Sequence, residues 1–266
     1  MTEILSPEQE LESWGYQEID GPFQISDLKD EYLIDRNELR SYGREVGRYY
    51  PSEISSCFRK QWYAWMFPDM AKITDPITLG IFFMGNMIED HVVTEILETK
   101  FGHEWTKREG PIAVSFADLP GVCVSGRWDF FIVNKKDRTM IELKSQNGYA
   151  KRRTFPKPDH VLQITPYMFA EQERFTLSSI QYVSKNDLEM SPTFWTPYLP
   201  LAWDYFSWRV HKIHGHVMEN TVPEAEARCN PSKKWLCVAK YCPFARMCKA
   251  KEKELKDLMN DKQGKL

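Results

Sequence analysis

The chain has 266 residues, 42% of them hydrophobic, and a formal net charge of −3. That is enough apolar material for one large domain or two small ones. The slightly negative charge excludes a protein coated in positive charge but leaves room for a local basic groove that meets nucleic acid. No apolar run approaches the ~18 residues of a membrane span. The N-terminal "MTEILSPEQE" lacks the basic and apolar regions of a secretory signal. A cytoplasmic location, with reduced thiols and no membrane partner, is therefore expected.

Residues 1–45 are acidic and weakly patterned, and read as short helices or a loosely attached arm. Residues 51–67, "PSEISSCFRKQWYAWMF", read as one helix with Ser52 as its N-cap, Ser55 also available, and Pro51 preceding it. Residues 76–98 carry apolar side chains at helical spacing and predict a long helix. Gly85 lies inside it at a cost of about 1 kcal/mol relative to Ala, so a close approach is expected there. Residues 121–134, "GVCVSGRWDFFIVN", predict a strand, residues 134–139 a hairpin-type turn, and "TMIELKSQ", 139–146, the next strand. Residues 158–174 predict a helix kinked at Pro166. Residues 177–190 predict another strand followed by a turn, and "SPTFWTPYL", 191–199, pairs with it. An aromatic-rich helix covers about 200–218. The chain ends in a Cys-rich segment to 248 and a highly charged helix. The domain expectation is an arm over 1–45, a main domain over 46–250 and a charged C-terminal helix over 251–266.

The strand 139–146 places Glu142 and Lys144 on one face, because side chains alternate along a strand. Hairpin pairing with the preceding strand brings Asp129 within a few ångströms of Glu142, since neighbouring strands lie about 4.8 Å apart. Two close, buried carboxylates repel, and a divalent cation relieves that repulsion. Mg²⁺ and Mn²⁺ favour such hard oxygen ligands. Lys144 beside the ion could orient or deprotonate a water, or stabilise charge building on a phosphate. The chemistry implied is metal-assisted phosphodiester hydrolysis. Glu89, four residues after Gly85, could complete the coordination shell. Gln163 and Tyr167 lie four apart on one helix face and could hold the scissile phosphate or position Lys144.

Two other features carry chemistry. Lys151, Arg152 and Arg153 form a basic stretch just after the active strand and are candidate DNA contacts. Six cysteines stand at 57, 123, 229, 237, 242 and 248, three of them within "CVAKYCPFARMC", 237–248. Short spacings in a reducing compartment suit iron–sulfur or structural zinc rather than disulfides. The triplet needs a fourth ligand. Cys57 is the candidate and Cys229 its local competitor, while Cys123 reads as core.

The order Cys57, "GNMIE", "GRWD", "IELK", "QITPY" and "WLCVAKYCPFARMC" resembles RecB-like nucleases of the PD-(D/E)xK superfamily that carry an iron–sulfur cluster. In particular it resembles the CRISPR-associated exonuclease family (the fourth Cas protein) and its phage homologues. The resemblance covers roughly 50–250. It implies an α/β fold: a restriction-endonuclease-like core with a central mixed sheet flanked by helices, and a Cys cluster clipping the C-terminal segment to an N-terminal helix. It implies that Glu89, Asp129, Glu142 and the Leu143 backbone carbonyl bind Mg²⁺ or Mn²⁺. Lys144 would be catalytic, with Gln163 and Tyr167 in support. Cys57, Cys237, Cys242 and Cys248 would bind a [4Fe–4S] cluster. The activity implied is a DNA exonuclease, with endonuclease activity as an addition, acting on single-stranded DNA or free ends. Its setting would be DNA processing, recombination or CRISPR-type adaptation, with protein partners from those processes. The other class is a DNA-binding or assembly subunit with little cleavage of its own.

The sequence departs from the pattern at three points. Trp128 stands where the superfamily often has Pro, and Glu89 where the family often has His, with His91 two residues on. Four residues separate Cys237 from Cys242, whereas the family more often has two, which leaves zinc open.

Overall fold

The computed structural model describes residues 25–38, 45–71, 75–102, 106–133, 138–148, 150–171, 175, 177–226, 237–238 and 242–249. The arm's first 24 residues, the expected turn at 134–137, Cys229 and the expected terminal helix at 251–266 lie outside them. The chain divides into two compact units, Met1–Arg40 and Ser41–Leu266. Among its described residues the first carries the helix α1 (Ile25–Glu38), in which Arg36 donates to the Tyr32 hydroxyl one turn back.

The second unit holds a mixed sheet. Its strands are β1 (Arg48–Tyr49), β2 (Thr106–Phe116), β3 (Leu119–Val133), β4 (Arg138–Gln146), β5 (Leu177–Ser184) and β6 (Phe194–Thr196). The order is β1-β3-β4-β5-β6, with β2 also on β3. β1/β3 and β4/β5 are parallel, and the other pairs are antiparallel. β2 runs along one edge of β3 from Ile132 to Leu119, so β4 and β1 must share the other edge. The helices are α2 (Pro51–Ile54), α3 (Phe58–Met66), α4 (Pro76–Met87), α5 (Thr94–Phe101), α6 (Pro158–Ala170) and α7 (Pro200–Met218). No helix among the described residues is long and apolar enough to cross a membrane.

The parallel β4–β5 pair needs a crossover, and α6 supplies it. The larger core contains Phe58, Trp62 and Tyr63 of α3, Ile164 and Tyr167 of α6, and Phe206, Val210 and Ile213 of α7, packed with Met140 and Ile180 of the sheet. A smaller core joins Ile88 and Val93 to Phe130, Leu143 and Val183. Met140 and Leu143 alternate to opposite faces of β4, so the sheet has a helical layer on each side.

Local chemistry sets the element ends. Asp75 caps α4, its carboxylate accepting from the Thr78 amide at 3.0 Å and the Thr78 hydroxyl at 2.6 Å, with Pro76 in the first turn. Gly85 lies where α4 crosses β4. A Cβ there would come 2.9 Å from the Ser145 hydroxyl, so the close approach expected from the sequence is present. The helix continues past 98 to Phe101, but through a π-helical turn at Ile88–Val93.

The single helix expected over 51–67 is in fact two, broken at Ser55–Cys57, and Ser52 is not its N-cap. The reason is capture of the carbonyls that would continue it. Gln61 Nε2 donates to the carbonyls of Ile54 and Ser56, and the Arg209 guanidinium takes the same two. α6 runs through Pro166 and ends at Ala170, with the Thr165 hydroxyl donating to the Val161 carbonyl.

Gly110 of β2 faces Trp128 of β3 across the ladder. The buried indole lies over the glycine, so a Cβ at 110 would sit 1.8 Å from the ring. Phe131 and Phe175 hold the indole edge-on, at centroid distances of 5.8 and 5.7 Å. Gly110→Ala is therefore expected to cost about 2 kcal/mol, the usual price of overpacking. Urea denaturation measures it, and an unchanged midpoint would mean that the indole moves aside freely.

Candidate active site

The β3–β4 ladder runs from Val133 opposite Arg138 to Phe130 opposite Ile141 and ends there. One step further stand Asp129 and Glu142, at the mouth of a fork between the strands. The Leu143 amide, past the end of that ladder, is bonded by the Asp129 carboxylate at 2.8 Å. β4 continues on β5 alone, with Glu142 opposite Ile180 and Lys144 opposite Tyr182.

Glu142 is fully buried. Its Oε1 accepts from Gln163 Nε2 at 2.6 Å and is ion-paired with Lys144 Nζ. Its Oε2 is buried and has no hydrogen-bond partner among the described residues. Tyr167 lies one turn after Gln163, and the Gln163 side chain and the Arg127 backbone both act on its phenol. Burial, then the charges of Glu142 and Asp129, raise its phenol above the ordinary range.

Burial first, then the Glu142 charge, pushes Asp129 well above the usual carboxylate range; Glu89 adds to this, while Lys144 and the Leu143 amide oppose it. For Lys144, burial alone would lower the ammonium. Glu142 and Asp129 outweigh it and hold Lys144 above its ordinary value.

Glu89 lies in the π-helical turn, and its charge reaches both Asp129 and Lys144. His91 is exposed and lines a separate shallow cleft with Asp90, Thr94 and Glu95. The helical element thus turns only one of the two toward Asp129. π-Turns often mark functional sites because the extra residue redirects a side chain.

Among the described residues, no group of three or more His, Cys, Asp or Glu side chains is placed to hold a metal ion. The pair Asp129 and Glu142 still suits a cation, because a buried acceptor without a partner and two repelling carboxylates are what a hard divalent ion relieves.

The sequence did not reveal what flanks Lys144. Tyr182 stacks with His160, whose Nδ1 lies 2.8 Å from the Tyr182 hydroxyl. The Lys157 amide donates to that hydroxyl at 2.8 Å. Burial, then Lys144, Lys157 and Arg153, push His160 down to about 3, so its ring is neutral. Arg153 lies 4.3 Å over the Tyr182 ring and donates to Gln146 Oε1 at 3.1 Å. A usable signal existed for His160, which stands one helical turn before Gln163. None existed for Tyr182, because its position opposite Lys144 depends on strand register. Of the three basic candidates, Arg153 is half-buried and held, Arg152 is exposed, and the Lys151 side chain lies outside the described residues.

The cysteines meet in part. Cys57 is the residue before α3, while Cys242 and Cys248 pack against the larger core. Burial, then the neighbouring Cys248 and Cys57, raise the Cys242 thiol. These three therefore share one neighbourhood, with Arg59 Nη1 3.9 Å from Cys248 Sγ. Cys237 is half-buried, and the five described cysteines are free thiols. α3 meets the residues after α7 through apolar and polar contacts, with the Phe244 ring 5.5 Å from that of Tyr63. Phe58 N donates to Glu226, and Arg59 Nε to the Pro223 carbonyl, each at 2.8 Å.

Fold and site together define a mixed α/β protein with an acidic group at a fork in its central sheet. No protein-family model matches the chain, and no curated protein matches its sequence. Its fold is similar to the crystal structure of SSO0001, with a TM-score of 0.56 at 15% identity, over 87% of this chain and 99% of that one. An alkaline exonuclease, LHK-Exo from Laribacter hongkongensis, aligns over 71% of this chain and 93% of its own, at 12% identity and a TM-score of 0.41. The LHK-Exo complex with dAMP aligns over the same shares, at 13% identity and a TM-score of 0.40.

Proposed function

We propose that the chain is a metal-dependent DNA nuclease, working as an exonuclease on strands with free ends. The observation that carries this reading is Glu142: a fully buried carboxylate with one oxygen held by Lys144 and Gln163 and the other without a partner among the described residues, beside Asp129. Mg²⁺ or Mn²⁺ held by Asp129, Glu142 and the Leu143 carbonyl, with Glu89 adding negative charge, would polarise a phosphodiester and activate water. Lys144 brings a fixed positive charge toward the phosphate as negative charge builds on it. Gln163 holds the Glu142 carboxylate in one orientation, and Tyr167 holds Gln163. The partner is DNA. The test is digestion of end-labelled single- and double-stranded DNA in Mg²⁺ or Mn²⁺, with EDTA as control. Shortening that EDTA abolishes is expected; binding without any cleavage would favour the assembly-subunit reading.

Cys57, Cys237, Cys242 and Cys248 are the ligands we assign to a [4Fe–4S] cluster, with zinc as the competing metal. The shared neighbourhood of Cys57, Cys242 and Cys248 supports the assignment. Protein purified without oxygen is expected to be brown and to contain iron and acid-labile sulfide, and Cys57→Ala to bleach it. A colourless preparation with stoichiometric zinc would overturn the iron–sulfur assignment.

A further inference from the structure

Beside the fork lies a cleft of about 500 Å³ that the proposed chemistry does not use. Its lining includes Gln146, Arg152, Arg153, Phe155 and Lys157, with three cations and no acidic residue. Gln146 follows Lys144 by two residues on the same strand face, about 7 Å along β4, so the cleft adjoins the site. Its inner wall is fixed. Gln146 Oε1 and the Tyr182 ring hold the Arg153 guanidinium, and Gln146 Nε2 donates to the Gly148 carbonyl at 3.1 Å. At the rim Phe155 is 67% exposed, although it is a large aromatic side chain.

The lining selects a ligand class. Guanidinium and ammonium groups suit phosphate. An exposed aromatic ring beside them suits a nucleobase, whose face any aromatic can stack on. Inside a duplex both faces of a base are already covered and at a blunt end only the outer face is open, whereas an unpaired base can turn a whole face to Phe155. The volume suits a single small ligand rather than a helix.

We propose that this cleft binds one unpaired nucleotide of the substrate strand, its base on Phe155 and its phosphate against Arg152 and Lys157, next to the phosphodiester presented to Lys144. The choice of DNA as the ligand's source rests on the nuclease reading. Arg153 is a positioning residue that shapes the wall. The consequence is a preference for single-stranded over blunt double-stranded DNA.

The experiment is fluorescence anisotropy on the full chain in EDTA, with a labelled oligothymidylate and a matched strand of abasic nucleotides. Phe155→Ala is expected to weaken oligothymidylate binding by about tenfold, the scale of one lost base–aromatic stack. It should leave the abasic strand's affinity unchanged. Arg152→Ala combined with Lys157→Ala should weaken both strands and lower the salt slope by about 1.4, the single-strand value for two lost phosphate contacts. The proposal is overturned if the wild-type chain does not bind oligothymidylate, if Phe155→Ala has no effect on it, or if Phe155→Ala weakens both strands alike. Binding is read without cleavage, so failure of the digestion assay overturns the nuclease reading separately.

Discussion

Lys144→Ala is expected to slow metal-dependent DNA hydrolysis on the order of 10²-fold or more while leaving the chain folded, as loss of one preorganised charge at a phosphoryl centre does. Its side chain is 24% exposed, whereas that of its partner Glu142 is fully buried, so the ammonium carries charge from the interior to the surface of the site. Without it, Glu142 keeps its bond from Gln163, which limits the loss of stability. Asp129 needs a finer test, because its carboxylate both carries charge and bonds the Leu143 amide. Asp129→Ala removes both functions and should abolish activity with some loss of stability. Asp129→Asn keeps an oxygen acceptor for the Leu143 amide and removes only the charge, so it should stay folded and be inactive. Single-turnover rates with paired melting curves separate the two effects. If Lys144→Ala and Asp129→Asn both digest DNA at the wild-type rate, the site is not the fork.

The parts of this site that sequence made legible are those set by the periodicity of a single element. Period two put Glu142 and Lys144 on one face, and they are ion-paired. Helical spacing put Gln163 and Tyr167 together, and they are in contact, although Gln163 bonds Glu142 rather than Lys144. What was illegible depends on neighbours. The fork arises because the β3–β4 ladder stops at Phe130 and Ile141, and no periodicity marks where a ladder stops. Tyr182 meets Lys144 through parallel register, which the sequence does not encode locally. The π-turn at Ile88–Val93 has no pattern of its own. The break at Ser55–Cys57 has its cause in Arg209, more than 150 positions away.

That distant cause makes Arg209 the position with the largest expected effect on stability. It sits on α7, is 3% exposed, and lies 4.0 Å over the Phe58 ring. Its guanidinium donates to the Ile54 carbonyl and, at 2.6 Å, to the Ser56 carbonyl. It also bonds both oxygens of Glu226, at 3.0 and 3.2 Å. Glu226 in turn accepts from the Phe58 amide, so one ion pair ties α2, the start of α3 and the segment after α7 together. Burial alone would lower the Arg209 guanidinium; the Glu226 bonds outweigh it and raise it, so the charge is never released. Among the described residues, Arg209→Ala leaves the Ile54 and Ser56 carbonyls to Gln61 alone and Glu226 with only the Phe58 amide, and breaking such an ion pair costs about 3–5 kcal/mol when it is fully buried. Glu226 is 34% exposed, and water recovers part of the loss, so about 3 kcal/mol is expected. Arg209→Lys should restore little, because a single ammonium cannot serve two carbonyls and a bidentate carboxylate at once. Urea denaturation at equal metal content provides the measurement. The Ser56–Phe58 frame that holds Cys57 should loosen with it, so the Cys57 thiol should react faster with an alkylating reagent in both variants. Wild-type stability in Arg209→Lys would show that charge, rather than the forked geometry, holds these segments together.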